Sequence, residues 1–347
     1  MSTSPDGLAG VRGVLRRFTT PLLPDDYTSL VNPLWSKREL RGKIESVERF
    51  PDDTIHLVIR PGWGVPVHFE AGQYIGIGLR VGGRFTWRSY SLTNSPDTRD
   101  GLFAITVRAV EKGKLSNHLV GTARPGINVR LAAPAGDFHL TDPMPSKLLF
   151  VTAGSGVTPV IAMLRSLESK RQDVDIEVVH SVRKREDLIF EDVLQDYDAH
   201  IQVTSEDGRV SPAVLQELVP DFADRVLYAC GPATMLDELE TWADENKVEI
   251  RVERFTLDRA SDAKGGKITF GTRGVTVEAD GATTILEAGE EAGVQMPFGC
   301  RMGICQTCVR ELSDGYVLDL RTGQTHEPGT RIRTCVGVAA GDITIDV

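Results

Sequence analysis

The most informative stretch of this sequence is Pro297-Phe298-Gly299-Cys300-Arg301-Met302-Gly303-Ile304-Cys305-Gln306-Thr307-Cys308. With Cys335 it gives a C-x4-C-x2-C spacing, a gap of 26 residues and a fourth cysteine. This spacing is used to hold a plant-type 2Fe–2S cluster through four thiolates. Gly299 and Gly303 permit unusual backbone angles in the loop and let backbone N–H groups approach the cluster sulfurs. The predicted metal ligands are therefore Cys300, Cys305, Cys308 and Cys335.

Two other uses of these cysteines fit the spacing less well. A structural zinc site favours closely spaced pairs of cysteines or histidines over a lone distant cysteine. A disulfide framework is disfavoured because three of the four thiols fall within nine residues. The loop therefore predicts an iron–sulfur cluster.

Length and composition are those of an ordinary globular protein. The 347 residues suit two or three domains, and hydrophobic and charged fractions of 41% and 25% are typical. Five cysteines, four of them assigned to a cluster, indicate a reducing compartment, so we expect a cytoplasmic protein. We expect no signal peptide and no transmembrane segment, because no run of 18 apolar residues occurs. A net charge of −10 argues against nucleic acid as the main partner.

Residues 1–38 are interpreted as an N-terminal arm. Apolar residues recur at helical spacing with arginines on the remaining faces, and prolines then interrupt the pattern. The apolar positions are Leu8, Val11, Leu15 and Phe18. Two uses of the arm stay open: packing against the body of the chain, or docking on a membrane surface or membrane-bound partner, which suits basic amphipathic segments.

Residues 39–142 predict a small antiparallel β-barrel. Runs rich in Val, Ile and aromatic residues are separated by Gly, Pro and Asp, with no helical period between them. A short helical turn is expected at Ser116–Val120. The predicted strands are 43–50, 54–60, 74–80, 85–92, 102–110 and 127–132.

Residues 143–256 alternate between strand and helix, which is typical of a parallel sheet covered on both faces and of nucleotide binding. The polar residues 257–266 end in Gly-Gly and are interpreted as a linker. The third domain, 267–347, carries the cysteine loop, strand-like ends and a helical segment at 285–292. The apolar runs of the second domain are 147–152, 174–182, 199–204, 225–230 and 248–255.

Two glycine motifs in this second domain predict a nucleotide site. Gly154 and Gly156 follow an apolar strand and open a helix, so backbone N–H groups and the helix dipole face an incoming phosphate. Pro159 stands where the dinucleotide fingerprint has its third glycine. Cys230-Gly231-Pro232 ends a later strand, at the sheet edge where such folds bind ligands. A tight turn without a ligand is the alternative for the first motif alone.

Two further motifs lie in the predicted barrel. Arg88-Ser89-Tyr90-Ser91 offers a guanidinium for a phosphate, a ring to cover a flavin and hydroxyls for its polar edge, although such a run also occurs in ordinary strands. Gly113 and Ser116 supply a turn and a hydroxyl at an expected helix start, which predicts a second phosphate seat.

Taken in order, R-x-Y-S, G-x-x-S, G-S-G-V-T-P, C-G-P and Glu253-Arg254-Phe255 resemble the ferredoxin–NADP reductase superfamily. The cysteine motif makes the chain similar to members with a ferredoxin domain fused behind the reductase. The resemblance implies a multidomain fold with an antiparallel β-barrel flavin domain, an α/β parallel-sheet nucleotide domain and a β-grasp (α+β) ferredoxin domain. It also implies an NAD(P)H-dependent reductase that uses FAD and a 2Fe–2S cluster.

The resemblance implies a role for each motif residue. Tyr90 would lie against the isoalloxazine ring, and Phe255 would shield the far face of the flavin until nicotinamide displaces it. The residues that would hold FAD are Arg88, Tyr90, Ser91, Gly113 and Ser116. Those that would frame the nicotinamide nucleotide are Gly154, Gly156, Thr158, Cys230 and Gly231. Those expected at the reacting centre are Tyr90, Ser91, Cys230 and Phe255.

Two further features of the sequence concern the choice of coenzyme and the surroundings of the cluster. Ser181 and Arg183 follow the second strand of the nucleotide domain, where the family often marks a preference for NADPH, and no acidic residue stands there to bond a ribose hydroxyl as in NAD binders. We therefore expect NADPH, with solvated loop charges as the alternative reading. Gln306 stands where relatives more often carry a small residue, which predicts altered hydrogen bonding to the cluster.

The arm outside the common family suggests an electron acceptor. Thr20–Tyr27 and Asn32–Trp35 resemble reductases that serve membrane-bound fatty-acyl desaturases in bacteria. The resemblance implies electron flow from NADPH through FAD and 2Fe–2S to a di-iron desaturase of stearoyl-CoA type, which would hold the protein at the membrane periphery. The alternatives are the reductase of a ring-hydroxylating or alkane-oxidising oxygenase and a non-catalytic flavin and iron–sulfur redox sensor.

Overall fold

The structure, a computed structural model, describes most of the chain from Thr28 to Val347. The predicted helical spacing in the arm, most of the predicted linker and the ligands Cys300 and Cys305 lie outside the described residues. The described residues are 28, 31–35, 40–51, 53–82, 84–98, 100–110, 113–171, 173–255, 263, 265–271, 274–281, 283–299, 303, 306–320 and 324–347, with backbone alone for 84 and 85.

The first sheet is a six-stranded antiparallel barrel, and its strands coincide with the six predicted runs. In space the strands follow the order β4-β3-β6-β1-β2-β5. A bridge between Leu92, just after β4, and Ile105 on β5 joins the two ends of the sheet. The strands are β1 (Arg41–Phe50), β2 (Thr54–Pro61), β3 (Tyr74–Val81), β4 (Arg84–Ser91), β5 (Phe103–Arg108) and β6 (Asn128–Leu131).

A helix longer than predicted packs into the barrel core. Helix α1 spans Lys114–Thr122, nine residues, where the sequence suggested a turn at Ser116–Val120. Leu115 and Leu119 lie four residues apart on one face, and both are buried in the cluster that fills the barrel. The burial of that apolar pair stabilises the full helix, whereas the polar residues between them obscure its period.

The N-terminal segment 31–35 packs against the barrel. The ring of Trp35 stacks on Trp63 with centroids 4.8 Å apart. The backbone N–H of Trp63 donates to the carbonyl of Leu34 at 3.0 Å. For these residues, packing against the body of the chain is confirmed.

The second sheet is parallel, with five strands in the order β11-β10-β7-β8-β9. Apolar clusters fill both of its faces, as the alternating sequence predicted. Because β7 lies between β8 and β10, the strand order reverses at β7, and its carboxyl end is the switch point where such folds bind ligands. The strands are β7 (Lys147–Ala153), β8 (Asp175–Val182), β9 (His200–Val203), β10 (Val226–Cys230) and β11 (Ile250–Glu253). The helices are α2 (Val157–Lys170), α3 (Glu191–Asp196), α4 (Thr204–Asp207), α5 (Pro212–Leu218) and α6 (Ala233–Asn246).

Polar contacts join the barrel to this α/β unit. Arg165 on α2 donates to the carbonyl of Thr93 at 2.7 Å. Asp97 accepts hydrogen bonds from Ser166 at 2.8 Å and Ser169 at 3.1 Å, both on the same helix. Helix α2 therefore connects the predicted phosphate loop to the segment that follows β4.

The third unit has the predicted α+β character. A five-stranded mixed sheet runs in the order β13-β12-β19-β14-β17, and a three-stranded sheet runs in the order β16-β15-β18. Helix α7, Ile285–Glu291, packs into the hydrophobic core of this unit. Thr284 caps this helix, since its hydroxyl accepts from the N–H of Glu287 at 3.3 Å. The strands are β12 (Gly266–Phe270), β13 (Val275–Ala279), β14 (Val309–Asp314), β15 (Val317–Asp319), β16 (Thr325–His326), β17 (Arg331–Arg333), β18 (Gly337–Ala339) and β19 (Ile343–Ile345). Within the described ranges, none of the helices combines the length and the apolar character that crossing a bilayer requires.

Candidate functional site

Strand β4 and the residues after it carry buried hydroxyls that have no hydrogen-bond partner among the residues the structure describes. They are Ser89 Oγ, Tyr90 Oη, Ser91 Oγ and Thr93 Oγ1. Buried polar groups normally have partners, so these hydroxyls mark strand β4 as the wall of a site for a polar ligand, with Tyr90 on the opposite face of the strand from Ser89 and Ser91. Burial raises the pKa of Tyr90, which keeps its hydroxyl protonated as a donor. These residues fit the ring and polar edge of FAD, and Thr93 joins the residues predicted from the motif.

Arg88 lies at the exposed rim of this wall. Its Nη1 donates to the carbonyl of Trp87 at 2.8 Å, which leaves the guanidinium at the surface where a phosphate could meet it. The indole of Trp87 covers Gly78 on β3, where a Cβ would come within 2.6 Å of the ring. That close packing fixes the strand that carries Arg88.

Ser116 stands at the predicted second phosphate seat. Its hydroxyl is buried at the start of α1 and accepts from the N–H of Val110 at 3.4 Å. A Cβ at Gly113 would lie 2.4 Å from that hydroxyl, so glycine is needed for this turn. The hydroxyl thus accepts within the turn and keeps its own proton to donate, so the role of Gly113 and Ser116 as a phosphate seat at the helix N-terminus stays a prediction.

The two glycine motifs of the α/β unit meet at the carboxyl edge of its sheet. A Cβ on Gly156 would lie 2.1 Å from the carbonyl oxygen of Cys230, and one on Gly231 would lie 3.1 Å from the Cβ of Ala153. Gly154 has a φ of 55°, a backbone conformation that favours glycine. The loops after β7 and β10 therefore form one continuous cradle, as the sequence predicted.

Thr158 contributes to the shape of this cradle. Its hydroxyl donates to the carbonyl of Ser155 at 2.8 Å, so in this structure it fastens the loop to the first turn of α2. The prediction that Thr158 belongs to the nucleotide site stays a prediction, with loop positioning as its observed contact.

Two hydroxyls face each other at the ends of β8 and β9. Ser181 Oγ and Thr204 Oγ1 lie 3.1 Å apart, and the carbonyl of Arg183 accepts from the N–H of Ser205 at 3.3 Å. The structure thus brings the Ser181 hydroxyl and the backbone of Arg183 to one corner and adds Thr204. The sequence does not point to this residue because it begins α4, directly after the next strand and 23 positions further along the chain.

A buried carboxyl lies beside Cys230. Cys230 on β10 pairs in register with Glu253 on β11, whose Oε2 is buried and has no hydrogen-bond partner within the described part of the chain. Burial raises the pKa of Glu253 to about 8. Burial, together with the nearby Glu253, also raises the pKa of the Cys230 thiol. The pair therefore offers two protonated groups near neutral pH, and Phe255 follows as a half-exposed ring.

Glu253 stands in the E-R-F motif, and the sequence alone assigns no role to it. The only sequence signal for Glu253 is that an acidic residue stands near the end of an apolar run. The burial of its side chain depends on the pairing of β11 with β10. The adjacent Arg254 pairs with Asp237 at 2.7 Å and with Glu240, which holds the end of β11 against α6.

The raised pKa of Glu253 predicts a pH-dependent stability. The folded protein keeps this proton between pH 4.5 and about 8, while the unfolded chain loses it, so the free energy of unfolding falls as the pH rises through that window. We expect Glu253→Gln to remove a slope of up to about 1.4 kcal/mol per pH unit. Urea denaturation at a series of pH values measures it. Glu249→Gln, at an exposed carboxylate paired with Arg251, is the control, and identical slopes in wild type and Glu253→Gln would contradict the prediction.

The described part of the cysteine site has the chemistry of an iron–sulfur ligand site. The Sγ atoms of Cys308 and Cys335 are buried and lie 3.1 Å apart. The N–H of Gly303 donates to Cys335 Sγ at 3.3 Å, the kind of contact that tunes a cluster. Gly303 and Gln306 have φ values of 73° and 56°, so Gln306 takes a left-handed conformation that favours a smaller residue. These residues fit a 2Fe–2S cluster held by four thiolates.

Three domain families match the chain in the order of these sites. An oxidoreductase FAD-binding domain matches residues 43–140, and an oxidoreductase NAD-binding domain matches residues 150–241. A 2Fe-2S iron-sulfur cluster binding domain matches residues 268–339. The three matches fall on the barrel, the parallel sheet and the mixed sheet.

Whole-length relatives share this organisation. An NADPH oxidoreductase of Mycobacterium tuberculosis is 47% identical over 98% of this chain and 93% of its own length. A glycine betaine monooxygenase reductase subunit of Chromohalobacter salexigens is 26% identical over 75% of this chain and 81% of its own length. The solved structure of a phthalate dioxygenase reductase superposes with a TM-score of 0.64 at 24% identity, covering 89% of this chain and 98% of that one, which shows a common fold.

Proposed function

The chain belongs to the ferredoxin–NADP reductase superfamily, in the group with a 2Fe–2S domain, and we propose that it passes electrons from NADPH to a membrane-bound di-iron fatty-acyl desaturase. It is an NAD(P)H-dependent oxidoreductase with FAD-binding, NAD-binding and 2Fe–2S domains. An oxidoreductase activity argues against the alternative that the protein is a non-catalytic redox sensor. We place the domain boundaries at 39–142, 143–256 and 267–347.

The order of the sites follows from electron counting. Nicotinamide releases a hydride, which carries two electrons, whereas a 2Fe–2S cluster takes one at a time and a flavin handles both. In the proposed arrangement the β4 hydroxyls and Tyr90 orient the flavin, and the joined loops at Gly156 and Cys230 seat the nucleotide. Phe255 would cover the face of the flavin that the nicotinamide needs, and Cys230 with Glu253 would border the nicotinamide position.

The observation that carries the preference for NADPH is the corner formed by Ser181, Thr204 and Arg183. Two hydroxyls 3.1 Å apart and an arginine suit a 2′-phosphate, which needs donors and positive charge. Glu206 and Asp207 lie nearby in α4, but the Asp207 carboxylate accepts from the N–H of Val203 at 2.8 Å. That carboxylate is engaged by its own loop, which leaves the hydroxyl corner for phosphate.

We expect Arg183→Ala to lower kcat/KM for NADPH by about 10- to 100-fold, because a charged hydrogen bond contributes about 1.5–3 kcal/mol. NADH has no 2′-phosphate, so its kcat/KM should change far less. Steady-state kinetics with both coenzymes measure the ratio. Lys184→Ala is the matched control, since Lys184 pairs with Glu186 at 3.2 Å. An equal loss with both coenzymes would contradict the assignment of this corner.

The proposed desaturase partner is supported by the arm. Its residues 20–27 and 32–35 resemble reductases of membrane-bound acyl desaturases, and Trp35 of the second stretch is fixed on Trp63. An acceptor embedded in a membrane would hold the protein at the membrane periphery without a spanning helix of its own.

Reconstitution tests the proposed partner. Membranes that carry the desaturase, given NADPH and this protein, should desaturate stearoyl-CoA, and omission of either component should stop the reaction. Reduction of a soluble dye by NADPH serves as the control for an active reductase. Dye reduction without desaturation would refute the desaturase assignment and leave the reductase activity intact.

A second candidate acceptor is a soluble oxygenase. The similarity to the glycine betaine monooxygenase reductase subunit favours it. The same preparation should then support substrate oxidation by a ring-hydroxylating or alkane-oxidising component. Comparing both acceptors at equal concentration, with the dye rate as reference, separates the two proposals.

A further inference from the structure

A buried carboxylate lies beneath the cluster loop. Asp319 ends strand β15 and is only 1% exposed. Buried charges require a partner, and Asp319 Oδ2 accepts from Nη2 of Arg333 at 2.8 Å. His326 Nε2 is more distant, at 4.0 Å from the same oxygen. The buried charge is therefore balanced first by the guanidinium.

The same guanidinium reaches the cluster loop with its other nitrogen. Nη1 of Arg333 donates to the carbonyl oxygen of Gly303 at 2.9 Å. The N–H of Gly303 donates in turn to Cys335 Sγ at 3.3 Å. A Cβ on Gly303 would lie 2.9 Å from Val336 and 3.6 Å from Cδ of Arg333, so the arginine stem also packs against this residue. Hydrogen bonds thus link Asp319 to Arg333, Arg333 to the carbonyl of Gly303, and the N–H of the same Gly303 to Sγ of the predicted ligand Cys335.

We propose that Asp319 and Arg333 form a positioning pair, which aims the Gly303 N–H at Cys335 and thereby sets the midpoint potential and the retention of the cluster. Hydrogen bonds and charges near the sulfurs tune such clusters. The planar fork of arginine holds two acceptors at once, which the single ammonium of lysine does with less precision. This inference rests on the 2Fe–2S site and is independent of the identity of the acceptor.

The two members of the pair predict opposite shifts in potential. Arg333→Met removes a positive charge and the restraint on Gly303, so the cluster potential should become more negative. Asp319→Asn removes a negative charge and leaves the guanidinium, so the potential should become more positive. The double variant restores the charge balance, and a remaining negative shift would report the lost orientation of the N–H. A role limited to stability would loosen the site in both single variants without this change of sign.

Redox titration of the full-length protein, followed by cluster absorbance and by the EPR spectrum of the reduced cluster, measures the shifts. Loss of cluster absorbance in the presence of a chelator measures retention, and we expect it to be about 10- to 100-fold faster in Arg333→Met. Arg333→Lys keeps the charge and should fall between wild type and Arg333→Met in both readouts. The flavin potential provides an internal reference in the same sample.

Arg310→Met is the matched control. Arg310 lies on the neighbouring strand β14, and its Nη1 donates to the carbonyl of Val309 at 2.8 Å. If Arg333→Met does not retain its cluster through purification, Arg333→Lys and Asp319→Asn carry the test. Potentials and EPR spectra that match Arg310→Met in every variant, or shifts of the same sign in Arg333→Lys and Asp319→Asn, would overturn the proposal.

Discussion

Changing Cys305 to Ser should abolish reduction of the protein acceptor while reduction of a dye by the flavin persists. Outer-shell residues of a metal site already cost about 10- to 100-fold when lost, so removal of a thiolate ligand should exceed about 100-fold. The flavin and nucleotide sites should survive because they are built on separate cores. Cys308 and Cys335 lie in the hydrophobic core of the third unit, and the barrel and the parallel sheet each have a hydrophobic core of their own.

The measurement compares NADPH-dependent reduction of a dye with that of the acceptor, together with iron content. Arg310→Met is the control, since Arg310 lies on β14, is not a predicted ligand and donates through Nη1 to the carbonyl of Val309 at 2.8 Å. It should retain both activities and its iron. Equal loss of dye and acceptor reduction in Cys305→Ser would count against independent flavin and cluster modules.

The sequence predicts the first two units well because their elements are long and apolar. Each barrel strand is bounded by turn residues, and the central parallel strands β7 and β10 are buried along almost their whole length, so the patterns are strong. The third unit is predicted only in its outline: strands β12, β13 and β19 and helix α7. Strands β15 to β18 contain two or three residues each, too few to show a period.

The site is predicted where one motif carries both position and chemistry. Gly156 and Cys230 each end or follow a strand of one parallel sheet, so their meeting at its carboxyl edge follows from the alternation of strands and helices. Thr204 and Glu253 could not be found this way. Their relevance depends on which strands pair, and that pairing is a property of the folded sheet.

The hydrogen-bond partners of single hydroxyl groups also cannot be predicted from the sequence. The motif assigns Ser116 and Thr158 to ligands, and in the structure their oxygens bond the backbone of Val110 and Ser155. A serine or threonine near a helix start competes between the chain and a ligand. Only the local backbone path decides the outcome.

The second large effect is expected for Gly156→Ala. Its new Cβ would lie 2.1 Å from the carbonyl oxygen of Cys230 and 2.6 Å from the carbonyl carbon, and neither backbone atom has a rotamer to move away. The loops after β7 and β10 must separate, which displaces the nucleotide seat. A displacement of about 1 Å costs about 100-fold in a reaction that depends on alignment, so the rate of flavin reduction by NADPH should fall by about that factor. Anaerobic stopped-flow bleaching of the flavin absorbance measures it.

Alanine substitutions at two further glycines should slow flavin bleaching less than Gly156→Ala. The expected difference depends on whether the atoms that a new methyl group would contact can move. At Gly231 a Cβ would meet the Cε of Met235 at 2.6 Å, the end of a flexible side chain, so Gly231→Ala should slow bleaching less than Gly156→Ala. At Gly121, in helix α1, a Cβ meets no atom within 4 Å, and Gly121→Ala should bleach at the wild-type rate. Retained flavin and an unchanged circular dichroism spectrum show that each variant is folded. A Gly156→Ala protein that bleaches as fast as Gly121→Ala would contradict the idea that the close contact of these two loops shapes the nucleotide seat.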